Sequence, residues 1–88
     1  MKKQIATKKG KGAKNLPNPY LKKLGARVKA LRVKKGYTSG EKFALDHGFS
    51  RVQYGRWETG KNLTFLSIVQ MIGAFDITVK EFFSEGFD

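Results

Sequence analysis

Start and stop signals for helices divide this chain so finely that long elements are ruled out before any other property is weighed. Asn18-Pro19 is a helix start, an N-cap amide followed by a proline whose fixed φ suits the first helical position. Gly36 is a stop, preceded by Lys34 and Lys35, whose charges complement the negative end of a helix dipole. Thr38 with Glu41 makes a capping box, with Ser39 as the alternative cap, and Gly48 ends that segment. Ser50 opens a third segment that runs to about Thr59 and is closed by Gly60. Thr64 opens a fourth, and Thr78 with Glu81 forms a capping box for a short fifth.

Hydrophobic spacing agrees with this punctuation. Leu21, Leu24, Val28 and Leu31 share one face of the first segment. Phe43, Ala44 and His47 point inward in the second, Tyr54 and Trp57 in the third, and Phe65, Ile68, Ile72 and Phe75 in the fourth. Phe82 and Phe83 belong to the fifth. No window alternates like a strand for long enough to compete, so the expected fold is all-α with five short helices.

Charge placement narrows the function. The 88 residues suffice for one small domain, and 18 Lys+Arg against 7 Asp+Glu leave +11. Residues 1–19 hold six lysines and no acid, with glycines at 10 and 12 and prolines at 17 and 19, the composition of a disordered basic arm. The folded domain then spans 20–88. Within it, residues 20–60 carry a net +7 and residues 61–88 a net −2. One strongly positive end suits a polyanion, the plainer alternative being a solvated face. The absence of cysteine excludes disulfides, thiolate metal centres and a cysteine nucleophile. A lone histidine argues against a metal cage or a Ser-His-Asp triad, and no catalytic constellation can be assembled. Neither an enzyme nor a cofactor or metal is expected. No apolar run reaches the roughly 18–20 residues that span a bilayer, and no apolar stretch follows the charged start, so a cytoplasmic protein without a membrane partner is expected.

Residues 40–59, GEKFALDHGFSRVQYGRWET, carry the functional signal. Ala44 and Gly48 place small residues where two helices approach and the chain reverses. Phe43, Phe49, Tyr54 and Trp57 would fix the angle between them. That is the logic of a helix-turn-helix, whose second helix is offered to the major groove. The spacing of Tyr54 and Trp57 puts them inside rather than on a stacking surface.

The wider frame, LGARVKALRVKKGYTSGEKFALDHGFSRVQYGRWETGKN followed by IVQMIGAFDITVKEFF, resembles the phage-repressor/Cro-like family of XRE-type regulators over roughly residues 21–83. Its most specific pieces are FAxxxGFSR, the WExGK turn and the closing IxxxxxAFDIxxxEFF. The resemblance implies a five-helix repressor-type DNA-binding domain with helices 2 and 3 as the reading pair. Arg32 and Glu58 match the family's internal ion pair between helix 1 and the end of the reading helix, and Lys61 and Asn62 its phosphate-contacting loop. Departures are Gly40 where the family often has a glutamine, His47 at an apolar position, an extra residue around Gly36-Tyr37, and a shorter loop with Leu63 in place of proline.

Individual residues can then be assigned. Arg51, Val52 and Arg56 are candidates for base contact, arginine because its fork matches guanine O6 and N7, valine because it packs on a thymine methyl. For either arginine the alternative is a phosphate clamp, which positions without specifying. Gln53 suits adenine or phosphate. Ser50 caps the reading helix and aims its N–H groups at the backbone, and Thr38, Ser39 and Lys42 are candidate phosphate contacts. Gly55 sits mid-helix, where glycine costs about 1 kcal/mol against alanine; the functional reading is close approach of backbone to DNA, the plainer alternatives being tight packing or tolerated drift. His47 is read as a half-buried stand-in for an apolar residue.

One such helix buries little, so a homodimer on a pseudo-palindromic operator is expected, formed in solution or only on DNA, with half-sites about 34 Å apart. Its candidate surface lies among Phe82, Phe83 and Phe87. Two alternatives remain. One is an antitoxin that binds its operator and also a toxin. The other is a basic adaptor for an acidic partner.

Overall fold

The computed structural model describes residues 18–88, and every helix in it opens on a side-chain cap. The basic arm expected over 1–19 lies outside the described residues except for Asn18 and Pro19, which open the first helix. Helix α1 is Pro19–Lys34, and the Asn18 side-chain oxygen accepts from the Tyr20 and Leu21 amides at 2.8 and 3.4 Å. Helix α2 is Gly40–Asp46. Its cap is Ser39, which accepts from the Lys42 amide at 3.1 Å, so the Thr38–Glu41 box does not form. Helix α3 is Arg51–Glu58, capped by Ser50. Helix α4 is Phe65–Phe75, where Thr64 and Ser67 cap each other reciprocally at 2.9 and 3.1 Å. Helix α5 is Val79–Phe82, with the Thr78–Glu81 box present at 2.8 and 3.0 Å. All the regular structure among the described residues is helical.

The turn between α2 and α3 is short because Gly48 takes φ +76°, a left-handed conformation that lets the chain reverse at once. Phe43 occupies the centre of the core beneath it. Its ring stacks on Phe75 at 5.1 Å and 22°, meets Tyr37 edge-on at 5.1 Å, and lies 5.2 Å from Tyr54. Phe49 and Trp57 close the far side at 5.5 Å. Burying rings of this size contributes roughly 1.5–3 kcal/mol each, enough to fix the helices around one cluster.

Two further sequence expectations are corrected. Phe65 is not inward but 68% exposed, and Ser67 and Met71 fill the inner face of α4 with Ile68, Ile72 and Phe75. Phe65 is the first residue of α4, and the mutual cap of Thr64 and Ser67 turns Ser67 rather than Phe65 toward the core. Phe82 is completely buried, which removes it from the candidate dimer surface, whereas Phe83 is 43% exposed.

Helix α1 is the spine against which the other ends are pinned. A Cβ at Gly25 would lie 2.6 Å from the Glu58 carbonyl oxygen and 2.7 Å from the Gly60 nitrogen, so α1 meets the end of α3 backbone to backbone. Arg27 donates to the carbonyl oxygens of Phe82 and Glu81 at 2.7 Å each, tying the end of α5 to the same helix. No described helix is long and apolar enough to cross a membrane.

Candidate nucleic-acid interface

With about 3.6 residues per turn, an eight-residue helix whose inner face holds Tyr54 and Trp57 must turn Arg51, Val52, Gly55 and Arg56 outward together. All four are exposed. Gln53 is exposed as well but stands off this stripe, beside a second groove lined by His47, Trp57 and Gln70. The structure thus separates Gln53 from the other three candidate base-reading residues. Ser50 accepts from the Gln53 amide at 3.3 Å, as its capping role requires.

The first turn of α2 lies against the outer stripe. A groove of about 340 Å³ runs between the two helices, with Gly40, Tyr54 and Gly55 among its lining residues. A Cβ at Gly55 would meet nothing within 4 Å, which rules out tight packing as the reason for glycine there. Gly40 is different. A Cβ on it would come within 3.3 Å of the Tyr54 ring and 3.4 Å of the Glu58 carboxylate, so the bare residue lets the head of α2 close over the ion pair beneath.

That pair is formed. Arg32, 5% exposed, donates from Nε to Glu58 Oε2 at 2.7 Å, from a terminal nitrogen to Oε1 at 3.2 Å, and from the other to the Tyr37 carbonyl at 2.8 Å. The two-pronged contact fixes the guanidinium plane against the carboxylate. The hydrogen bonds to Glu58 hold the Arg32 guanidinium above its ordinary pKa. Burial, followed by the neighbouring Glu58, pushes the Tyr54 phenol well above its ordinary value. Its hydroxyl and the Trp57 indole nitrogen are buried without a hydrogen-bond partner among the described residues.

The cations expected to grip DNA fall into two kinds. Lys42 pairs with Asp46 at 3.2 Å within α2, and Arg51 pairs with Glu41 across the mouth of the groove. Arg56 and Lys61 make no ion pair among the described residues. Thr38, Lys61 and Asn62 are exposed, and Asn62 adopts φ 55° just beyond Gly60. Lys61 and Asn62 follow the C-terminal end of α3, a helix length of about 12 Å from Arg51 at its start.

The Arg51–Glu41 contact was not foreseen from sequence; opposite charges on either side of the α2–α3 turn were its only trace. The hydroxyl of Tyr37, bonded to Asp46 at 2.8 Å, was also missed. His47 is half-buried, with Nδ1 2.9 Å from the Phe43 carbonyl oxygen, beside the core rather than in the outer stripe. Comparison of the chain with known protein families, with curated proteins and with solved structures finds no match.

Proposed function

We propose that this chain is a sequence-specific double-stranded DNA-binding regulator, a repressor, in which α2 and α3 act as a helix-turn-helix and α3 enters the major groove. The observation that carries this reading is the outer stripe of α3. It presents two arginines, a valine and a bare glycine, while every aromatic ring of the helix is turned into the core behind it. Arginine and valine are side chains that discriminate guanine and thymine at base edges. Ser39, Ser50, Lys42, Thr38, Lys61 and Asn62 are the proposed backbone contacts, holding register without reading sequence. The net +7 over residues 20–60 supplies the salt-sensitive part of the affinity.

Two copies on a pseudo-palindrome place two α3 helices about one helical turn of DNA apart. Val79 and Phe83, exposed at the last helix, favour a protein contact there, and this is where a toxin would bind if the chain is also an antitoxin. The decisive experiment selects bound sequences from a random duplex pool, with an Arg51→Ala/Arg56→Ala double variant run at equal salt. A palindromic motif that loses information in the variant supports the reading. Affinity that follows salt alone, with no motif, overturns it and leaves a general polyanion grip.

A further inference from the structure

We infer that Glu41 is a positioning residue that commits Arg51 to base edges and withholds it from the phosphates; this rests on the DNA-binding reading above. Glu41 stands in the first turn of α2, where the positive end of the helix dipole favours a carboxylate. Its Oε2 accepts from one terminal nitrogen of Arg51, in the first turn of α3. Both side chains are exposed, and an exposed ion pair adds little to stability, so removing Glu41 should leave the fold intact and report on binding alone.

An acid at this place works against general DNA binding, because it faces the same phosphates that the surrounding cations attract. It becomes useful when the arginine beside it has a choice. An unheld arginine is free to take a phosphate instead, a contact without sequence information. With one nitrogen of Arg51 on Glu41, the Nε–H and the other terminal nitrogen remain as an intact two-donor edge, the geometry that guanine O6 and N7 accept. If Arg51 left for a phosphate, Glu41 would face the duplex uncompensated. The bare backbone at Gly55 leaves the groove beside this pair unobstructed on the α3 side.

The test measures affinity at one salt concentration for three duplexes: the selected operator, the operator with the Arg51-dependent guanine pair replaced, and an unrelated sequence. Glu41→Ala is expected to tighten binding to the unrelated duplex several-fold while cutting discrimination at that guanine by about tenfold. Glu41→Gln keeps an oxygen that accepts from Arg51, so it is expected to tighten unrelated binding yet retain discrimination. In an Arg51→Ala background, Glu41→Ala should change discrimination no further. Unaltered discrimination in Glu41→Ala, or an equal loss in the Arg51→Ala background, overturns the inference. A motif indifferent to Arg51→Ala overturns it while leaving the DNA-binding reading intact. Failure of the wild-type chain to select any motif overturns both.

Discussion

Gly55 lies in the interior of α3 facing open space, so its replacement separates folding from function. Alanine there fills no occupied volume and restores ordinary helix propensity, and Gly55→Ala should stabilise the fold by about 1 kcal/mol in denaturant titration. If the backbone approaches DNA closely, the same variant binds its operator more weakly, and a more stable protein with unchanged affinity would remove any functional reason for the glycine. The Tyr37–Asp46 bond makes a second prediction at this scale. The phenol hydroxyl, and after it Lys42, hold the Asp46 carboxyl below its ordinary value of 3.8, so its contribution is present above that value and lost as pH falls through the lower folded value. The same bond holds the Tyr37 phenol above its ordinary 10.0, so that contribution is present below 10.0 and lost as pH rises through the higher folded value. Thermal melts of Tyr37→Phe should therefore show a shallower decline than wild type below about pH 4 and again above about pH 10. Parallel pH profiles for the two proteins would show that the bond carries no linkage.

At the scale of elements, α3 is held at both ends by different means: a hydroxyl cap at Ser50 and an ion pair from α1 at Glu58. Arg32→Ala would strand a largely buried carboxylate together with the Tyr37 carbonyl, a change that typically costs about 3–5 kcal/mol and is read directly as a lowered urea midpoint. A loss below about 1 kcal/mol would mean that Glu58 turns to solvent instead. The same elements show what the sequence could disclose. Caps at Asn18, Ser50, Thr64 and Thr78 were legible because each bond is made within three residues. The facing of α4 was not, since the sets through Phe65 and through Met71 share Ile68, Ile72 and Phe75, and only the packed neighbours choose between them. The outer stripe of α3 followed from its buried aromatics, so most of the candidate site was legible as well. The Glu41–Arg51 contact depends on the angle between α2 and α3, which Phe43 and its ring neighbours set and no local pattern encodes.

The whole molecule is organised around α1, which receives the end of α3 at Gly25 and the end of α5 at Arg27. A methyl group at Gly25 has nowhere to go, because what it meets is backbone rather than a movable side chain. Gly25→Ala should cost about 1–3 kcal/mol in unfolding titrations and reduce discrimination between duplexes more than total affinity, because α3 is displaced while the surface charge is untouched. Equal stability for the two proteins would show that α1 and α3 can part without cost. The Gly25 contact also has a mechanical consequence. With its C-terminal end keyed backbone to backbone at Gly25 and clamped there again by Arg32 through Glu58, α3 has little freedom at that end to shift toward an imperfect groove. In a complex of the proposed kind the yielding partner is the duplex, and base pairs that no side chain touches acquire influence through how easily they bend and twist.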